Sequence, residues 1–242
     1  MRNILLNSFE KIYCINLKKR TDKWKRCTEI FKKLNIEDIV IKWDATESVN
    51  KNKKGDCEYA CASSHISIIK HAHKNKINNI LIFEDDIEFV SDYKGIPAEN
   101  ILQAGLNQIK KDNISWDLLF LGYSMKLREF CNYRQLSPNI FQSTNQLQTH
   151  CYAVNSSIYE KIINDNVPGR APIDQYYGIY LAHKVVALNL FPLITHQREN
   201  ILCDIGGNIR TDRSKLYNNE NNYWSKKIKG YEKDCSTDTR AT

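Results

Sequence analysis

Short runs of bulky apolar residues alternate along the chain with longer segments whose apolar residues recur every three or four positions. Continuous or alternating apolar runs are typical of buried strands, whereas the three-to-four repeat indicates one apolar helix face. We predict strands at 11–17, 39–45, 80–83, 116–122, 149–154 and 185–190, and helices at 21–34, 58–74, 99–111, 157–163 and 172–182. This alternation indicates an α/β fold with helices on both faces of one sheet.

Local signals at some of these elements lead to more specific expectations. Thr21 is placed to act as the N-cap of the first helix, and Ser157 stands three residues before a glutamate, the spacing of a capping box. The last predicted helix begins at a proline, which suits a first helical turn. Because apolar residues alternate in the second predicted strand, we expect Ile39, Ile41 and Trp43 to face the core.

One globular domain is the default for a chain of 242 residues without internal repeats. From residue 210 the sequence becomes polar and rich in asparagine. We therefore expect a domain over 1–209 and a polar C-terminal tail over 210–242, which is either loosely ordered or docked onto the domain. No run of about 18 apolar residues exists to span a bilayer, and the first ten residues lack the pattern of a secretory signal. A soluble, intracellular, cytoplasmic protein is expected.

Cysteine content and charge narrow the class of protein. Eight cysteines are scattered through a chain without a signal peptide, so we expect reduced thiols and not a disulfide framework. The formal net charge of +7 is modest and fits an anionic ligand, a polyanion or solubility alone. Because the basic residues do not form an extended stripe with interleaved aromatic residues, nucleic-acid binding is not expected.

Three adjacent carboxylates, Glu84, Asp85 and Asp86, directly follow the apolar run 80–83. In open α/β sheets ligands gather outside the carboxyl ends of the strands, and oxygen ligands suit Mg²⁺ or Mn²⁺ shared with substrate phosphates. One interpretation is therefore a site for such an ion and a nucleotide diphosphate. The other is a set of solvated loop residues, as we expect for Glu88.

A basic segment surrounds the start of the first helix, with Arg20 among several lysine and arginine neighbours. A helix N-terminus beside an arginine is a natural diphosphate site, since backbone N–H groups and the guanidinium both attract anions. The alternative is a solvated helix face. Neither a Rossmann glycine fingerprint nor a P-loop occurs, which disfavours NAD-dependent and kinase-type functions.

Five segments together resemble glycosyltransferase family 25, the group of lipooligosaccharide and collagen sugar transferases. They are, in chain order, YCINLKKRTDKWKR, EYACASSHISIIKHAHKNKINNILIFEDDI, THCYAVNSSIYEKII, APIDQYYG and PLITHQRENILCDIG. The match covers residues 10 to 206, and its specific pair is the Ser-His helix followed by the strand that ends in Glu-Asp-Asp. Lys19 and Lys23 stand where the family often has arginine, which leaves their individual roles open.

The resemblance implies a GT-A fold, a single Rossmann-like nucleotide-sugar transferase domain with a mixed, mostly parallel sheet. By that similarity Asp86 is the main ligand of Mn²⁺ or Mg²⁺, Glu84 a direct or water-mediated ligand, and Asp85 a partner of the donor ribose or sugar. The ion would bridge the diphosphate and stabilise the charge that develops as UDP leaves. The remaining candidates for donor binding are Asn16, Leu17, Arg20 toward phosphate, Asp44 toward base or ribose, Ser64 and His65.

His65 and Asp174 each have a structural alternative. His65 shares a helical face with Cys61, so it is either a buried histidine held by a hydrogen bond or a contact of the donor. A zinc site of Cys57, Cys61 and His65 is a minor alternative, because no second ligand pair is evident. Asp174 either complements the dipole at a helix start or, as the resemblance implies, is the general base that deprotonates the acceptor hydroxyl in an inverting reaction.

The predicted function is a metal-dependent, inverting glycosyltransferase that moves galactose or glucose from a UDP-sugar to a hydroxyl of a glycan or of a hydroxylysine-type protein acceptor. His196 and Gln197, which follow the last predicted strand, are either further metal or donor contacts or ordinary loop residues. Two other functions stay open at this point. One is a non-catalytic sugar- or nucleotide-binding relative, and the other is a nucleotidyltransferase that uses the same carboxylates and metal.

Overall fold

The predicted strands join into one sheet in the computed structural model, which describes residues 1–125, 131–165 and 167–231. The helices are α1 (Arg2–Leu6), α2 (Thr21–Lys33), α3 (Lys54–Lys74), α4 (Ala98–Lys111), α5 (Tyr159–Asn164), α6 (Ile173–Gln175) and α7 (Arg213–Ser225), with a 3₁₀ turn at Ser156–Ile158 and a π-helical segment at Tyr176–Leu181. The strands are β1 (Lys11–Asn16), β2 (Val40–Asp44), β3 (Asn79–Glu84), β4 (Ile87–Phe89), β5 (Asp92–Tyr93), β6 (Ile96–Pro97), β7 (Leu118–Met125), β8 (Tyr133–Ser137), β9 (Ile140–Ser143), β10 (Gln146–Asn155), β11 (Ala187–Leu190), β12 (Thr195–Gln197), β13 (Ile201–Leu202) and β14 (Ile209–Arg210).

The central sheet has eight strands within the described ranges, in the order β2-β1-β3-β10-β7-β11-β9-β8. Strands β2, β1 and β3 are parallel, as are β7 and β11, whereas β10 and β9 run antiparallel to both of their neighbours. All strands of this sheet except β10 and β9 therefore run in one direction. The predicted fold class, α/β with a mixed, mostly parallel sheet, is confirmed.

The parallel strands β2, β1 and β3 end side by side, which brings polar residues from distant parts of the chain together. Ile15 in β1 pairs with Glu84 in β3, and Asn16 pairs with Asp44 in β2. Upstream of these ends, residues 80–83 of β3 have no exposed surface. Full burial of such a side chain contributes on the order of 1.5–3 kcal/mol, so the carboxyl end of β3 is held on a firmly packed strand.

Helices cover both faces of the sheet. Side chains alternate along β3, so Phe83 and Ile82 point to opposite faces. On one face the ring of Phe83 packs against Phe31 of α2, with ring centroids 5.8 Å apart. On the other face Tyr152 of β10, the cross-strand neighbour of Ile82, packs against His65 of α3. The strand that carries the three carboxylates is thus shielded from solvent on both sides.

Two of the expected helix caps are wrong. Helix α2 starts at Thr21 itself and its N-cap is Arg20, whose backbone C=O accepts the first helical hydrogen bond. At the second helix start the side chain of Asn155 is the cap and accepts a bond from the Ser157 N–H at 3.2 Å. The Ser157 hydroxyl instead donates to Asp117 in the loop before β7. A long-range partner therefore replaces the local capping box.

The inward face of β2 also differs from the expectation. Val40 is buried, whereas Ile41 is 41% exposed and Ile39 and Trp43 pack only partly against the core. β2 is the edge strand, so α3 covers the end near Trp43, whose indole N–H donates to Ser67, and leaves Ile41 open. The alternation of apolar residues in the sequence could not show which face of β2 is covered by the core.

The polar segment after residue 210 contains α7, which packs on the domain. Trp224 is fully buried, and its ring lies 4.4 Å, centroid to centroid, from that of Phe141 in β9. The side-chain oxygens of Glu220 and Asn221 accept hydrogen bonds from backbone N–H groups of Met125 and Leu193. Of the two alternatives stated for this segment, the docked one describes the chain as far as residue 231.

Candidate active site

A cavity of about 330 Å³ opens at the carboxyl ends of β1 and β3, and we call it the donor cavity because several residues predicted to bind the donor line it. The loop after β2, the first half of α3 and the β13–β14 hairpin form its other walls. The predicted site residues that line it are Asn16, Leu17, Ser64, His65, Glu84, Asp85, Asp86 and Gln197. The predicted residues outside its lining are Arg20, Asp44, Asp174 and His196.

Glu84, the last residue of β3, keeps 19% of its side chain exposed and has two close partners. Its Oε1 accepts a hydrogen bond from the Thr149 hydroxyl at 2.6 Å, and His65 Nε2 lies 3.3 Å from the same oxygen, close but outside good hydrogen-bond alignment. Burial acts to raise the pKa of Glu84, but His65 and Thr149 outweigh it and hold the pKa at about 2. Tyr152, whose hydroxyl lies 2.9 Å from Nδ1, orients the imidazole. The histidine is therefore both buried and in contact with the carboxylate cluster.

Asp85 is tied to the first strand and the first helix. Asn16 Nδ2 donates to one carboxylate oxygen at 2.8 Å, and Lys23 Nζ donates to the other at 3.0 Å. The Lys23 side chain is only 5% exposed and also donates to Asp204 at 2.6 Å. Burial acts to lower the pKa of Lys23, but the surrounding carboxylates raise it above the ordinary lysine value. Asp85 thus forms a buried ionic connection to α2, and its contact with the donor stays a prediction.

Asp86 has a buried carboxylate oxygen with no partner. Gln197 Nε2 donates to Oδ2 at 3.0 Å, and Arg210 Nη1 lies 3.8 Å from that oxygen. The other oxygen, Oδ1, has no hydrogen-bond donor among the described residues. Burial and the negative charge of Glu84 raise the pKa of Asp86 to about 7. Buried polar atoms are normally satisfied, so this oxygen is chemically suited to a bound cation.

Arg20 contacts carboxylates instead of lining the donor cavity. Its guanidinium donates to Asp22 at 2.8 and 2.9 Å and to both oxygens of Asp204 at 2.8 Å. The backbone carbonyl of Leu202 accepts a further bond at 3.2 Å. Arg20 and Lys23 therefore hold Asp204, and with it the β13–β14 hairpin, against the start of α2. A phosphate that binds Arg20 would therefore compete with these carboxylates for the guanidinium.

Two other predicted donor residues have local structural partners. Asp44 is exposed and pairs with Lys18 at 3.2 Å on the outer side of the sheet edge. Ser64 is buried, its Oγ accepting from the Thr46 N–H at 2.9 Å and donating to the Ala60 carbonyl at 2.8 Å. Ser64 thereby fixes the loop after β2, which forms one wall of the donor cavity.

His196 and Gln197 are neighbours in β12 but point to different surroundings, as alternation along a strand requires. The Gln197 side chain reaches Asp86, whereas the His196 ring packs against Tyr217 of α7, with centroids 5.4 Å apart. Of the two residues proposed as further contacts, Gln197 touches the carboxylate cluster.

Asp174 is connected to Glu84 through an irregularity in β10. The strand shifts its register against β7 at residues 148–150, the β10 bulge, where Gln148 has a positive φ of 70°. The Gln148 N–H donates to Asp174 at 3.2 Å, and the next residue, Thr149, donates to Glu84. Burial raises the pKa of Asp174, backbone N–H donors oppose this, and the charge of Glu84 adds to it.

Sequence reasoning missed four residues that shape the site: Lys23, Thr149, Asp204 and Arg210. A signal existed for Lys23, which shares the buried face of α2 with Cys27 and Ile30 at helical spacing. Asp204 lies in the family-like segment PLITHQRENILCDIG, although no role was assigned to it. Thr149 likewise begins the family-like segment THCYAVNSSIYEKII, although no role was assigned to it. Arg210 carries no such signal, because tertiary contacts alone bring it to the carboxylates.

The other chemical expectations concern thiols, zinc and membranes. The cysteines among the described residues are free, and Cys235 lies outside those residues. Over the same ranges no three His, Cys, Asp or Glu side chains form a group that could hold a metal ion, so zinc at Cys57, Cys61 and His65 has no support. No helix in the described part of the chain has the length and apolar character to cross a membrane.

Residues 9–177 match the family described as "Glycosyltransferase family 25 (LPS biosynthesis protein)". The chain belongs to glycosyltransferase family 25. The carboxylate cluster, the Ser-His helix and Asp174 all lie within the matched residues, so the predicted resemblance is confirmed over the greater part of the site. Asp204 and Arg210, on the β13–β14 hairpin, lie beyond them.

Two curated proteins of family 25 illustrate the relationship. The human "Inactive glycosyltransferase 25 family member 3" is 23% identical in an alignment of 192 positions that covers 71% of this chain and 31% of that protein. The mouse "Procollagen galactosyltransferase 2" is 22% identical in an alignment of 202 positions that covers 73% of this chain and 31% of that protein. The chain thus matches about a third of the length of these relatives.

Solved structures show only a loose overall likeness to this member of family 25. A glycosyltransferase involved in the glycosylation of the major capsid of PBCV-1 has a TM-score of 0.36 and 11% identity, with 72% of each chain covered. UDP-glucose pyrophosphorylase complexed with UDP-glucose has a TM-score of 0.41 and 11% identity, with 90% of this chain and 81% of that chain covered. The family assignment rests on the sequence match.

Proposed function

We propose that the protein is a metal-dependent, inverting glycosyltransferase that moves a hexose, galactose or glucose, from a UDP-sugar to an acceptor hydroxyl. The observation that carries the proposal is the buried, unpartnered Oδ1 of Asp86, in a cavity at the carboxyl ends of parallel strands. Ligands of open α/β sheets bind at this edge. Membership of family 25 supports sugar transfer as the reaction.

The carboxylate cluster fits a hard divalent ion, Mn²⁺ or Mg²⁺, with Asp86 as its main ligand and Glu84 as a direct or water-mediated one. Mg²⁺ typically keeps several waters and takes one or two protein carboxylates together with substrate phosphates. A complete protein cage is therefore not required, in agreement with the lack of a three-ligand group among the described residues. When bound, the ion would offset negative charge on the diphosphate. Cation binding and ionisation of Asp86 are expected to favour each other, because burial and Glu84 disfavour the uncompensated anion.

The donor cavity offers complementary groups to a nucleotide diphosphate. Its volume of about 330 Å³ lies at the lower end of the range for small-molecule sites. Lys19, Lys23 and Arg210 also line it, so the diphosphate would meet cationic donors as well as the ion. Asn16 and Leu17, at the end of β1, offer side-chain amide and backbone groups to the nucleoside.

Asp174 is the proposed general base. Its raised pKa makes it a stronger base than an exposed aspartate, and the N–H groups of Gln148 and Gln175 fix its carboxylate in place. As Asp174 takes the hydroxyl proton, the acceptor oxygen would form a bond to the anomeric carbon while the bond to UDP breaks. Attack from the side opposite UDP would invert the configuration at that carbon.

A non-catalytic relative that binds a nucleotide sugar is the second candidate function. In its favour, Arg20 and Lys23, which stand where a diphosphate is expected, already contact Asp204. A human relative is also described as inactive.

For the catalytic function the acceptor is a glycan or a hydroxylysine-type protein, and the mouse relative is described as a procollagen galactosyltransferase.

Release of UDP from a panel of UDP-sugars, with and without Mn²⁺, tests the proposal. We expect Mn²⁺-dependent release that falls by at least about 100-fold in Asp86→Asn, because the developing charge loses its stabilisation. Asp38→Asn is the matched control, since Asp38 is an exposed carboxylate outside the donor cavity. Circular dichroism of both variants shows whether they are folded.

Three outcomes would contradict the proposal. Metal-independent release that persists unchanged in Asp86→Asn would refute the metal-dependent mechanism. Thermal stabilisation by UDP and Mn²⁺ without release from any donor would favour the non-catalytic relative. Release of pyrophosphate in place of UDP, from a sugar phosphate and UTP, would indicate a nucleotidyltransferase.

A further inference from the structure

A second concave surface, the side groove, lies next to the donor cavity and has a volume of about 520 Å³. Thr46, Ser48 and Ala60 line both spaces, so the side groove lies directly against one wall of the donor cavity. Its far wall is formed by residues 169–172, which lead directly into Asp174. The side groove therefore lies between that wall and the segment that carries the proposed base.

The side groove contains an exposed aromatic ring. Tyr59, on α3, keeps 54% of its surface exposed although it lines a concave surface. Across from it, Gly169 has φ of +99°, and a Cβ added there would lie 3.9 Å from Tyr59 Cε2. Glycine suits this backbone conformation and leaves the space beside the ring open. The ring thus offers an apolar surface to a ligand.

The carboxylates that line the side groove form ion pairs with lysines that lie outside the groove. Its carboxylates each lie within ion-pair distance of a lysine that does not line it: Glu47 with Lys19 at 3.0 Å, Asp56 with Lys53 at 3.2 Å and Glu58 with Lys54 at 3.5 Å. Oxygens of these carboxylates can accept further hydrogen bonds, and Arg170 can donate them. An uncharged ligand with many hydroxyl groups matches such a rim better than the ammonium group of a lysine-type side chain does.

We propose that the side groove is the acceptor subsite and binds an uncharged pyranose ring of a glycan, with the C–H face of the sugar against Tyr59. This inference rests on the proposed function and adds the class of acceptor to it. A pyranose has an apolar C–H face and a hydroxyl edge, which correspond to the tyrosine ring and the charged rim of the groove. The groove shares a wall with the donor cavity and is lined by the residues that lead into Asp174, and a hydroxyl acceptor requires a position close to both the donor and the base.

Saturation-transfer NMR with simple pyranosides tests the subsite without knowledge of the complete acceptor. The probes are methyl β-D-galactopyranoside and methyl β-D-glucopyranoside, added to the full chain with UDP and Mn²⁺ present. We expect saturation transfer to at least one pyranoside that persists when UDP fills the donor cavity. In Tyr59→Ala the affinity should fall by about tenfold, the loss expected when the apolar surface of one ring is removed.

Two further variants separate the ring contact from effects on folding. Tyr59→Phe keeps the apolar ring and should retain most of the affinity. Tyr180→Ala removes an equally exposed tyrosine, 57% exposed, that lines neither concave surface, and should leave the affinity unchanged. Equal affinity in Tyr59→Ala and the wild type, or displacement of the pyranosides by UDP, would overturn the proposal. So would saturation transfer to a hydroxylysine peptide with none to either pyranoside.

Measuring UDP release by the same variants tests the proposed catalytic function independently of the acceptor subsite. Pyranoside binding that depends on Tyr59, without UDP release from any donor, would support the subsite and contradict the catalytic function. Mn²⁺-dependent UDP release, combined with pyranoside binding of equal affinity in Tyr59→Ala and the wild type, would support the catalytic function and overturn the subsite.

Discussion

Lys23 is the buried cation on which the carboxylate cluster depends, and Lys23→Met is the most informative single change. Methionine keeps a long, unbranched apolar side chain but removes the ammonium group that donates to Asp85 and Asp204. The Lys23 side chain is 5% exposed and that of Asp85 is 12% exposed, so water cannot easily replace the lost donor. The variant would leave two neighbouring carboxylates without their shared partner.

The magnitude follows from the burial of the three groups. Removing one member of a buried ion pair costs about 3–5 kcal/mol, because the remaining charge stays buried and unpaired. Asp204 is 27% exposed and keeps Arg20, and Asp85 keeps Asn16, so we expect a smaller loss, about 2–4 kcal/mol. For a domain of this size such a loss lowers the unfolding midpoint by roughly 4–16 °C.

Urea unfolding monitored by circular dichroism measures this loss. Lys25→Met is the matched control, because Lys25 lies on the exposed side of the same helix. Combining Lys23→Met with Asp85→Asn and Asp204→Asn should recover most of the stability, since no unpaired charge remains. The raised pKa of Lys23 means that its contribution is complete below the ordinary lysine pKa and is lost only as pH rises through the higher folded value. Lys23 also lowers the pKa of Asp86, which lies at about 7, so the loss in Lys23→Met should be larger at about pH 9, where Asp86 is ionised, than at about pH 6. A loss below about 1 kcal/mol, or no recovery in the triple variant, would refute this account of the ionic cluster.

Three further predictions concern the β13–β14 hairpin, the start of β10 and the C-terminal helix. Burial acts to raise the pKa of Asp204, but Lys23 and Arg20 hold it below the ordinary value, so its stabilisation is present above about pH 4 and is lost as pH falls through the folded value. Asp204→Asn should accordingly cost about 1–2 kcal/mol at neutral pH and less at about pH 3 in urea unfolding, whereas an equal cost at both would contradict the ion-pair role. A Cβ at Gly178 would lie 1.8 Å from the Gln146 carbonyl oxygen, so Gly178→Ala should destabilise the fold by about 1–3 kcal/mol or more, while Gly55→Ala, with open space around it, should be neutral or stabilising by up to about 1 kcal/mol. Similar unfolding midpoints for these two variants would argue against the close approach. Trp224→Ala should cost about 3–5 kcal/mol because the ring is fully buried against Phe141, and a loss under about 1 kcal/mol would show that α7 adds little to the fold.

The sequence predicted the features that depend on periodicity and strand ends. The apolar run at 80–83 predicted the position of β3. Because ligands bind at the carboxyl ends of parallel strands, Asn16 and Glu84 were expected near one site, and both line the donor cavity. The sequence did not predict the exposure of Ile41 in the edge strand β2. The alternation of apolar residues in one strand does not show which part of the strand a helix covers.

Contacts between distant segments could not be predicted in the same way. Arg20 was assigned to phosphate from its place at a helix start, but the hairpin that brings Asp204 to it lies more than 180 residues later. Asp44 was assigned from its place at a strand end, and the structure pairs it with Lys18 on the outside. The charge of a residue and its position at a strand end identify candidate site residues. Which residues form ion pairs depends on how distant segments of the chain pack together.

The β10 bulge has a consequence for how this fold can vary. Consecutive residues of this strand hold both Glu84, the proposed metal ligand, and Asp174, the proposed base. Each carboxylate thus has a hydrogen-bond donor on the same short stretch of β10, which couples the end of β3 to the start of α6. Because side chains alternate along a strand, adding or deleting one residue there would turn the Thr149 hydroxyl away from Glu84 while displacing the N–H that holds Asp174. Loops around the cavity do not carry these two hydrogen bonds and can vary in length without breaking them, whereas a change in the number of residues at the β10 bulge would disturb both.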